Sequence, residues 1–126
     1  MAAPLPGKGV RGSRTGRPIM VLLELLGRRW ILRILWELRA ESLGFRALQA
    51  RCEGMSPSVL SRRLQDLASA RIVEQDEDGN YRLSAPGARL LASLLPLHKW
   101  AEDWAQSATN LPPAGYSSPK RRSGHR

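Results

Sequence analysis

Hydroxyl, guanidinium and amide side chains recur at helical spacing within residues 56–67 of this chain. Four of them fall on one side of a helix drawn through the stretch, namely Ser58, Ser61, Arg62 and Gln65. Such groups hydrogen-bond to base edges and to phosphates, so this side could read a nucleic-acid groove. Because most surface helices also carry a polar face, an ordinary amphipathic helix is the competing interpretation, and the neighbouring elements must decide between the two.

The same stretch carries the start signal and the apolar stripe of a stable helix. Ser56 can cap the first turn through its side-chain oxygen, and Pro57 occupies the first helical position, where no backbone N–H is needed. Leu60, Leu64 and Leu67 then recur at helical spacing on the opposite side. The pattern predicts a helix with one face for a core and the other for a groove.

The charge of the chain is concentrated at its two ends. The 126 residues carry a net charge of +9, and residues 1–18 and 108–126 each hold four Lys or Arg and no acid. Glycine, proline and serine dominate these ends, which predicts disordered basic tails over 1–17 and 108–126 around a single domain at 18–107. On a DNA-binding protein such tails would add salt-sensitive affinity for phosphates; tails that only improve solubility are the alternative.

Several classes of function find no support in the residues. Cys52 is the single cysteine, which fits a reducing compartment, and with His98 and His125 it gives no metal-ligand cluster. No apolar run approaches the roughly 20 residues of a membrane span, and no nucleophile–base pair, catalytic carboxylate pair or phosphate loop stands at usable spacing. We therefore expect a cytoplasmic, non-enzymatic protein without metal or cofactor.

Three short helices are predicted in the part of the domain that precedes the 56–67 helix. Pro18 opens the first, which runs to Leu26, and a second follows with a core face made of Ile31, Ile34, Leu35 and Leu38. Trp30 at its start is interpreted as a core anchor, with the wall of an effector pocket as the alternative. A third helix over Phe45–Arg51 leads through a turn at Gly54, and two helices meeting across such a turn form a helix-turn-helix.

A β-hairpin is predicted directly after the helix-turn-helix. Residues 71–75 and 81–84 favour strands, and Asp78-Gly79 between them is a strong turn signal. A hairpin in this place is the wing of a winged helix. Its tip carries Asp76, Glu77 and Asp78, which phosphates would repel, so we expect the wing to add little affinity even though Asn80 or Arg82 could reach a duplex.

The last predicted helix starts near Pro86-Gly87 and runs to about Ser107. Its apolar face is wider than the core of a small domain can cover, so dimerisation is the natural way to bury it, with complete burial against residues 19–38 as the alternative. The residues assigned to a dimer interface are Leu22, Leu90, Leu94, Leu97, Trp100 and Trp104.

The order of elements from Arg17 through Trp104 resembles the HxlR-type winged helix-turn-helix regulators, which are relatives of the MarR type. The segments that carry the resemblance are 26–35, 54–64 and 83–87. The resemblance implies a mainly α fold with a small β-hairpin, a winged helix-turn-helix with extra N- and C-terminal dimerisation helices. It also implies homodimers that bind operator DNA, with the major groove faced by Ser56, Ser58, Ser61 and Arg62.

Two departures from the family pattern limit what can be carried over. Many members place a redox-sensing cysteine where this chain has Arg17, and Cys52 lies elsewhere, in the turn before the 56–67 helix. As a structural residue Cys52 needs no redox role, although a switch is the alternative. The wing is also shorter than is usual in the family, so we expect it to contribute little to DNA affinity.

Together these observations predict a homodimeric, sequence-specific transcriptional regulator that places its 56–67 helix in the major groove of double-stranded DNA. Arg62 is the candidate for a bidentate guanine contact, and Gln65 also faces the groove. Contacts to phosphates are assigned to Arg28, Arg29, Arg46 and Arg63. A small-molecule effector, if there is one, would bind near Trp30, Trp36, Trp100 and Trp104. The alternative function is a winged-helix module for protein interaction or assembly without specific DNA binding.

Overall fold

The computed structural model describes residues 16–109, which form five helices and one two-stranded hairpin. In chain order the elements are α1 (Pro18–Leu26), α2 (Ile31–Glu37), α3 (Phe45–Arg51), α4 (Pro57–Ser69), β1 (Val73–Gln75), β2 (Tyr81–Leu83) and α5 (Ala85–Thr109). The predicted fold class, mainly α with a small hairpin, is confirmed. The predicted tails at 1–17 and 108–126 fall almost entirely outside the described residues.

Two compact units divide the chain inside α5, the first running to Leu91 and the second beginning at Ala92. The first contains α1 to α4, the hairpin and the start of α5. The second contains the rest of α5, which remains helical through Pro96. No described helix combines the length and the apolar character needed to cross a membrane.

The core of the first unit is built from the apolar stripes of its short helices. The predicted face of α2 is confirmed, because Ile31, Ile34 and Leu35 are at most 1% exposed and Leu38 is buried just beyond the helix. Leu48 of α3 is also fully buried. A single side chain of this kind contributes about 1.5–3 kcal/mol when it leaves water. Since α2 and α3 are only seven residues long, this burial and not helix propensity holds them in place.

Helix α4 begins and is capped as predicted. The Ser56 side-chain oxygen accepts a hydrogen bond from the Val59 backbone N–H at 3.3 Å, and Pro57 stands at the first helical position. The helix extends two residues beyond the predicted end, to Ser69. Arg71 follows in the left-handed conformation with φ of +63°, which turns the chain toward the hairpin.

The hairpin is antiparallel and shorter than predicted, with Glu74 opposite Arg82 at its centre. Each strand has three residues, because the left-handed Arg71 interrupts the extended backbone before β1 and Ser84 is taken up by the next helix. The Ser84 hydroxyl donates to the Arg71 carbonyl at 2.7 Å and accepts from the Gly87 N–H at 3.0 Å. A Cβ at residue 87 would collide with the carbonyl oxygen of Ile72, the residue before β1, so glycine is required for the start of α5 to approach the chain there.

Candidate nucleic-acid interface

Helix α4 separates a buried apolar face from an exposed polar one. Leu60, Leu64 and Leu67 are 0%, 3% and 0% exposed, so the helix cannot turn about its axis without opening the core. The side chains predicted to face a groove lie on the solvent side and are all exposed, namely Ser56, Ser58, Ser61, Arg62 and Gln65. The structure thus brings these five together on one surface; their contacts to DNA stay predictions.

Arg62 is the cation on this face that is available for an external acceptor. Within the described part of the chain, its guanidinium has no hydrogen-bond or ion-pair partner, and the same holds for the side chains of Ser61 and Gln65. The hydroxyls of Ser56 and Ser58 lie 3.3 Å apart, within hydrogen-bond distance. Five guanidinium donors on a fixed helix therefore remain unused by the described residues.

A groove of open shape lies between α3 and the start of α4. Its lining residues are Phe45, Arg46, Gln49, Ala50, Glu53, Gly54, Met55 and Pro57. The Gln49 amide donates to the Met55 carbonyl at 3.3 Å, which links the end of the turn to α3, and Gly54 within the turn takes a φ of +84°. Arg46 is exposed on α3 and, like Arg62, has no partner among the described residues.

Arg28 and Arg63, two of the four arginines assigned to phosphates, point at a buried carboxylate. Asp66 on α4 is 3% exposed, and its Oδ2 lies 3.1 Å from Arg28 Nη1 and 3.2 Å from Arg63 Nη1. Arg63 Nε also donates to the Arg29 carbonyl at 2.8 Å. Asp66 was not among the residues predicted to belong to the site. The signal was an acid beside Leu67 at the edge of the apolar stripe, which needs a cation when it is buried.

Arg29 and Trp30 occupy the turn between α1 and α2. The Arg29 guanidinium carbon stands 5.5 Å from the centre of the Trp30 ring, a cation–π contact at an exposed arginine. Trp30 precedes α2 with φ of +79° and is only partly buried. Trp36 is likewise partly buried in the first unit, whereas Trp100 and Trp104 of the second are exposed, and an effector site near these rings stays a prediction.

Charged side chains of the hairpin contact other groups of the same hairpin. Arg82 Nε lies 2.9 Å from Glu74 Oε2 on the opposite strand, and the Asp76 carboxylate accepts from the backbone N–H groups of Asp78 and Asn80 at 2.9 and 3.0 Å. Asn80 is partly buried. The carboxylates of Glu77 and Asp78 remain exposed at the tip. Arg82 and Asn80 are therefore placed on the wing as expected, but beside carboxylates.

The residues assigned to a dimer interface fall into two groups. Leu22, Leu90 and Leu94 are partly buried in the single chain, whereas Leu97, Trp100 and Trp104 are 56%, 60% and 59% exposed. The two indole rings stack with centroids 5.8 Å apart and planes 13° from parallel. Ile19 and Leu23 on α1 are 58% and 52% exposed and were missed, although their i, i+4 spacing in a leucine-rich helix was visible in the sequence.

Cys52 is a buried residue of the core. It is fully inaccessible to solvent, and burial raises the pKa of its thiol. The Arg33 cation opposes this rise and Glu37 adds to it. A buried thiol with a raised pKa is a poor nucleophile, which favours the structural interpretation of Cys52. No group of three or more potential metal ligands occurs among residues 16–109.

A short helix, a glycine turn, a helix with an exposed polar face and a two-stranded hairpin define a winged helix-turn-helix protein. The chain belongs to the HxlR-like helix-turn-helix family, whose model matches residues 25–109. It is thus a transcriptional regulator of the HxlR/MarR type and not an enzyme.

Known proteins of this type are similar over most of the described chain. The uncharacterized HTH-type transcriptional regulator YvaP of Bacillus subtilis (strain 168) is 30% identical over 88 residues, which cover 65% of this chain and 82% of YvaP. The crystal structure of quinone-bound YodB from B. subtilis is 29% identical with a TM-score of 0.63, covering 68% of this chain and 97% of that one. A possible HxlR family transcriptional factor from Thermoplasma volcanium GSS1 is 27% identical with a TM-score of 0.62, covering 71% and 85%.

Proposed function

We propose that this regulator binds double-stranded DNA as a homodimer and reads sequence by inserting α4 into the major groove. One observation carries the proposal: α4 exposes Arg62 without a partner among the described residues, on a helix whose leucines are fixed in the core. A rigid rod that presents unused donors has the dimensions and chemistry of a major-groove reader. Such a regulator acts in the cytoplasm, where it meets its DNA.

Base reading is assigned to the exposed face of α4. Arg62 offers two parallel N–H groups to guanine O6 and N7, and such a bidentate pair is worth about 1–3 kcal/mol of discrimination. Gln65 can bind an adenine edge in the same bidentate manner, and the serine hydroxyls can serve either base. Ser56 at the helix start, together with Ser58 and Ser61, completes this set.

Affinity for the backbone is assigned to cations outside that face. Arg46 on α3 has no partner among the described residues and stands beside the groove next to α4. The four Lys or Arg at each end of the sequence add charge that would make binding depend strongly on salt. Because the part between them is nearly neutral, most of the salt dependence of binding is expected to come from the two ends.

The homodimer is proposed from apolar side chains left exposed in the single chain. Leu97, Trp100 and Trp104 follow at i, i+3 and i+7 and so form one stripe on the second unit, and Ile19 with Leu23 forms another on α1. Exposed stripes of this kind mark an interaction surface in a soluble protein. A twofold dimer would present its two α4 helices to major grooves about 34 Å apart.

A second candidate function, a protein-interaction or assembly module, is favoured by the acidic hairpin tip. Glu77 and Asp78 are exposed there and repel phosphates. A gel shift of residues 18–107 discriminates between the two. Saturable binding to a selected sequence supports the DNA-binding regulator, and absence of any shift at low salt supports the module.

Selection of binding sites from random duplex DNA with the full chain tests the proposal directly. We expect enrichment of an inverted repeat with half-sites about one helical turn apart. Light scattering of the free protein should give the mass of a dimer. A pool of duplexes that shows no enrichment would overturn the proposal that the protein reads DNA sequence. A monomer that binds a single half-site would overturn the proposed homodimer.

A further inference from the structure

A buried acid joins two arginines at the base of α4. Asp66 is 3% exposed, and its Oδ2 contacts Arg28 from the α1–α2 turn and Arg63 from its own helix, at 3.1 and 3.2 Å. The side chains of these arginines are only 13% and 19% exposed. An arginine that serves a phosphate needs an accessible guanidinium, whereas these two are largely enclosed by the protein.

The same cluster ties α4 to the α1–α2 turn at two separate points. One is the Arg28–Asp66 ion pair, and the other is the hydrogen bond from Arg63 Nε to the Arg29 carbonyl at 2.8 Å. Since both lie in one turn of α4, they fix its rotation and its axial position together. Arg62 precedes Arg63 directly and Asp66 stands one helical turn after Arg62, so the ties act at the level of the proposed base-reading side chain.

The turn that receives these ties has a backbone that needs support. Trp30 adopts a φ of +79°, a conformation that bulky side chains rarely take and that persists only when surrounding contacts hold it. Its neighbour Arg29 supplies the carbonyl that Arg63 binds. The Ile31 N–H donates to the Arg28 carbonyl at 3.2 Å and closes the turn. Contacts from α4 therefore stabilise the conformation from which α2 starts.

We propose that Arg28, Arg63 and Asp66 form a latch between α4 and the α1–α2 turn, and that Arg63 is a positioning residue for DNA reading and not a phosphate contact. The positioning role of Arg63 rests on the proposed DNA-binding function. The contacts that hold the α1–α2 turn are present in the free protein and do not depend on DNA.

The decisive variant is Arg63→Lys, which keeps the positive charge but cannot make both directed bonds. A lysine serves a phosphate as a point charge, so a phosphate contact would survive the change. A latch would not, because the ammonium lacks the fork that reaches the Arg29 carbonyl and Asp66 together. We expect the ratio of selected-site to random-DNA affinity to fall about tenfold, which lies within the range that one bidentate base contact is worth. Arg46→Lys, at the exposed arginine assigned to a phosphate, is the matched comparison: any change in affinity should be equal for selected and random DNA, so the ratio should stay the same.

Salt dependence separates the two roles a second time. In Arg63→Gln the slope of log affinity against log salt should equal that of the unaltered protein, because the number of phosphates contacted is the same. In Arg46→Gln it should fall by about one per protomer. Arg63→Lys with an unchanged specificity ratio, or Arg63→Gln with a reduced slope, would overturn the latch as a positioning device.

Hydrogen exchange of the free protein tests the latch without DNA. We expect the Ile31 amide to exchange about tenfold faster in Arg63→Lys, because local opening of the turn becomes easier, while amides in α3 keep their rates. Uniformly faster exchange would instead mean general destabilisation and contradict a local latch. If the unaltered protein selects no DNA sequence, the proposed function fails and the positioning role with it, yet the exchange rates still decide whether the ties hold the turn.

Asp66→Asn is a second, more severe variant, because it removes the carboxylate charge that both enclosed guanidiniums contact. Thermal melts followed by circular dichroism show whether it folds. If it folds, we expect faster exchange at Ile31 and a lower specificity ratio, as in Arg63→Lys. A folded Asp66→Asn protein with unchanged exchange and specificity would overturn the proposal.

Discussion

Helix α4 and the β1–β2 hairpin both carry an exposed arginine, but the surroundings of the two cations differ. On α4, Arg62 has no acidic or hydrogen-bonding partner among the described residues. On the hairpin, Arg82 lies 2.9 Å from Glu74 across the strands, and two further carboxylates are exposed at the tip. The two regions therefore offer opposite electrostatics to a phosphate backbone even though each contributes one exposed arginine.

The difference shows that the arginines of this chain are not equally available to an external anion, which the sequence alone does not reveal. Between residues 19 and 107 the charges nearly balance, with twelve Lys or Arg against eleven acids. The structure resolves this balance into paired arginines and unpaired ones. Arg28, Arg63 and Arg82 are paired with carboxylates, while Arg46 and Arg62 on the helix-turn-helix have no described partner.

Removing the two exposed arginines one at a time tests this contrast and should give the largest effect. We expect Arg62→Ala to lose about 1–3 kcal/mol of preference for the selected site per half-site, since a bidentate base contact is removed. Arg82→Ala should change specificity little, because its charge is already neutralised by Glu74. Fluorescence anisotropy with selected and scrambled duplexes measures both.

The folded state provides the control for this pair. Both side chains are exposed, and an exposed ion pair such as Arg82–Glu74 contributes at most about 1 kcal/mol to stability. The two variants should therefore melt within a few degrees of the unaltered protein. Equal losses on selected and scrambled DNA in Arg62→Ala would remove the base-reading role from this residue.

Local signals in the sequence were enough to predict most of the fold. The Ser56 cap, the proline after it and the leucine stripe of α4 all act within a few residues, and each is found as predicted. The hairpin turn is also local, with Gly79 at φ of +85°. The strands were predicted too long because the left-handed conformation of Arg71 and the capping role of Ser84 depend on contacts between separate elements.

The sequence was enough to predict which side chains of the candidate site are exposed, but not which of them are paired with residues far away in the chain. Exposure of Arg62 follows from helical periodicity alone. The pairing of Arg28 with Asp66 joins residues 38 positions apart, and no periodic pattern reports such a contact. Phosphate contacts were therefore predicted for Arg28 and Arg63 as well as for Arg46, although the surroundings of these residues in the fold differ.

Two glycines with the same backbone conformation give a matched test of the two regions. Gly54 and Gly79 have φ of +84° and +85°, and a Cβ at either position would meet nothing within 4 Å. Alanine at each should therefore cost only the left-handed penalty, about 1–2 kcal/mol. Chemical denaturation should show similar losses of stability for Gly54→Ala and Gly79→Ala.

DNA binding should separate these two variants although their stabilities are alike. Gly54 sets the turn that leads into α4, so its substitution should weaken specific binding several-fold. Gly79 shapes only the hairpin tip, and its substitution should leave binding nearly unchanged. A larger loss of binding in Gly79→Ala than in Gly54→Ala would mean that the hairpin contributes more to DNA binding than α4 does.

The smallest effect is expected from the acids at the hairpin tip. Glu77 and Asp78 have exposed carboxylates without a described partner, so Glu77→Gln combined with Asp78→Asn removes repulsion and leaves the turn intact. Asp76 is kept because its carboxylate holds two backbone N–H groups. We expect affinity for selected and random duplexes to rise together by a few tenths of a kcal/mol per protomer at low salt, and the gain to vanish as salt shortens the Debye length to about 3 Å at 1 M. A loss of affinity would show that these side chains contact DNA directly, and the wing would then have to be counted with α4 as a reading element.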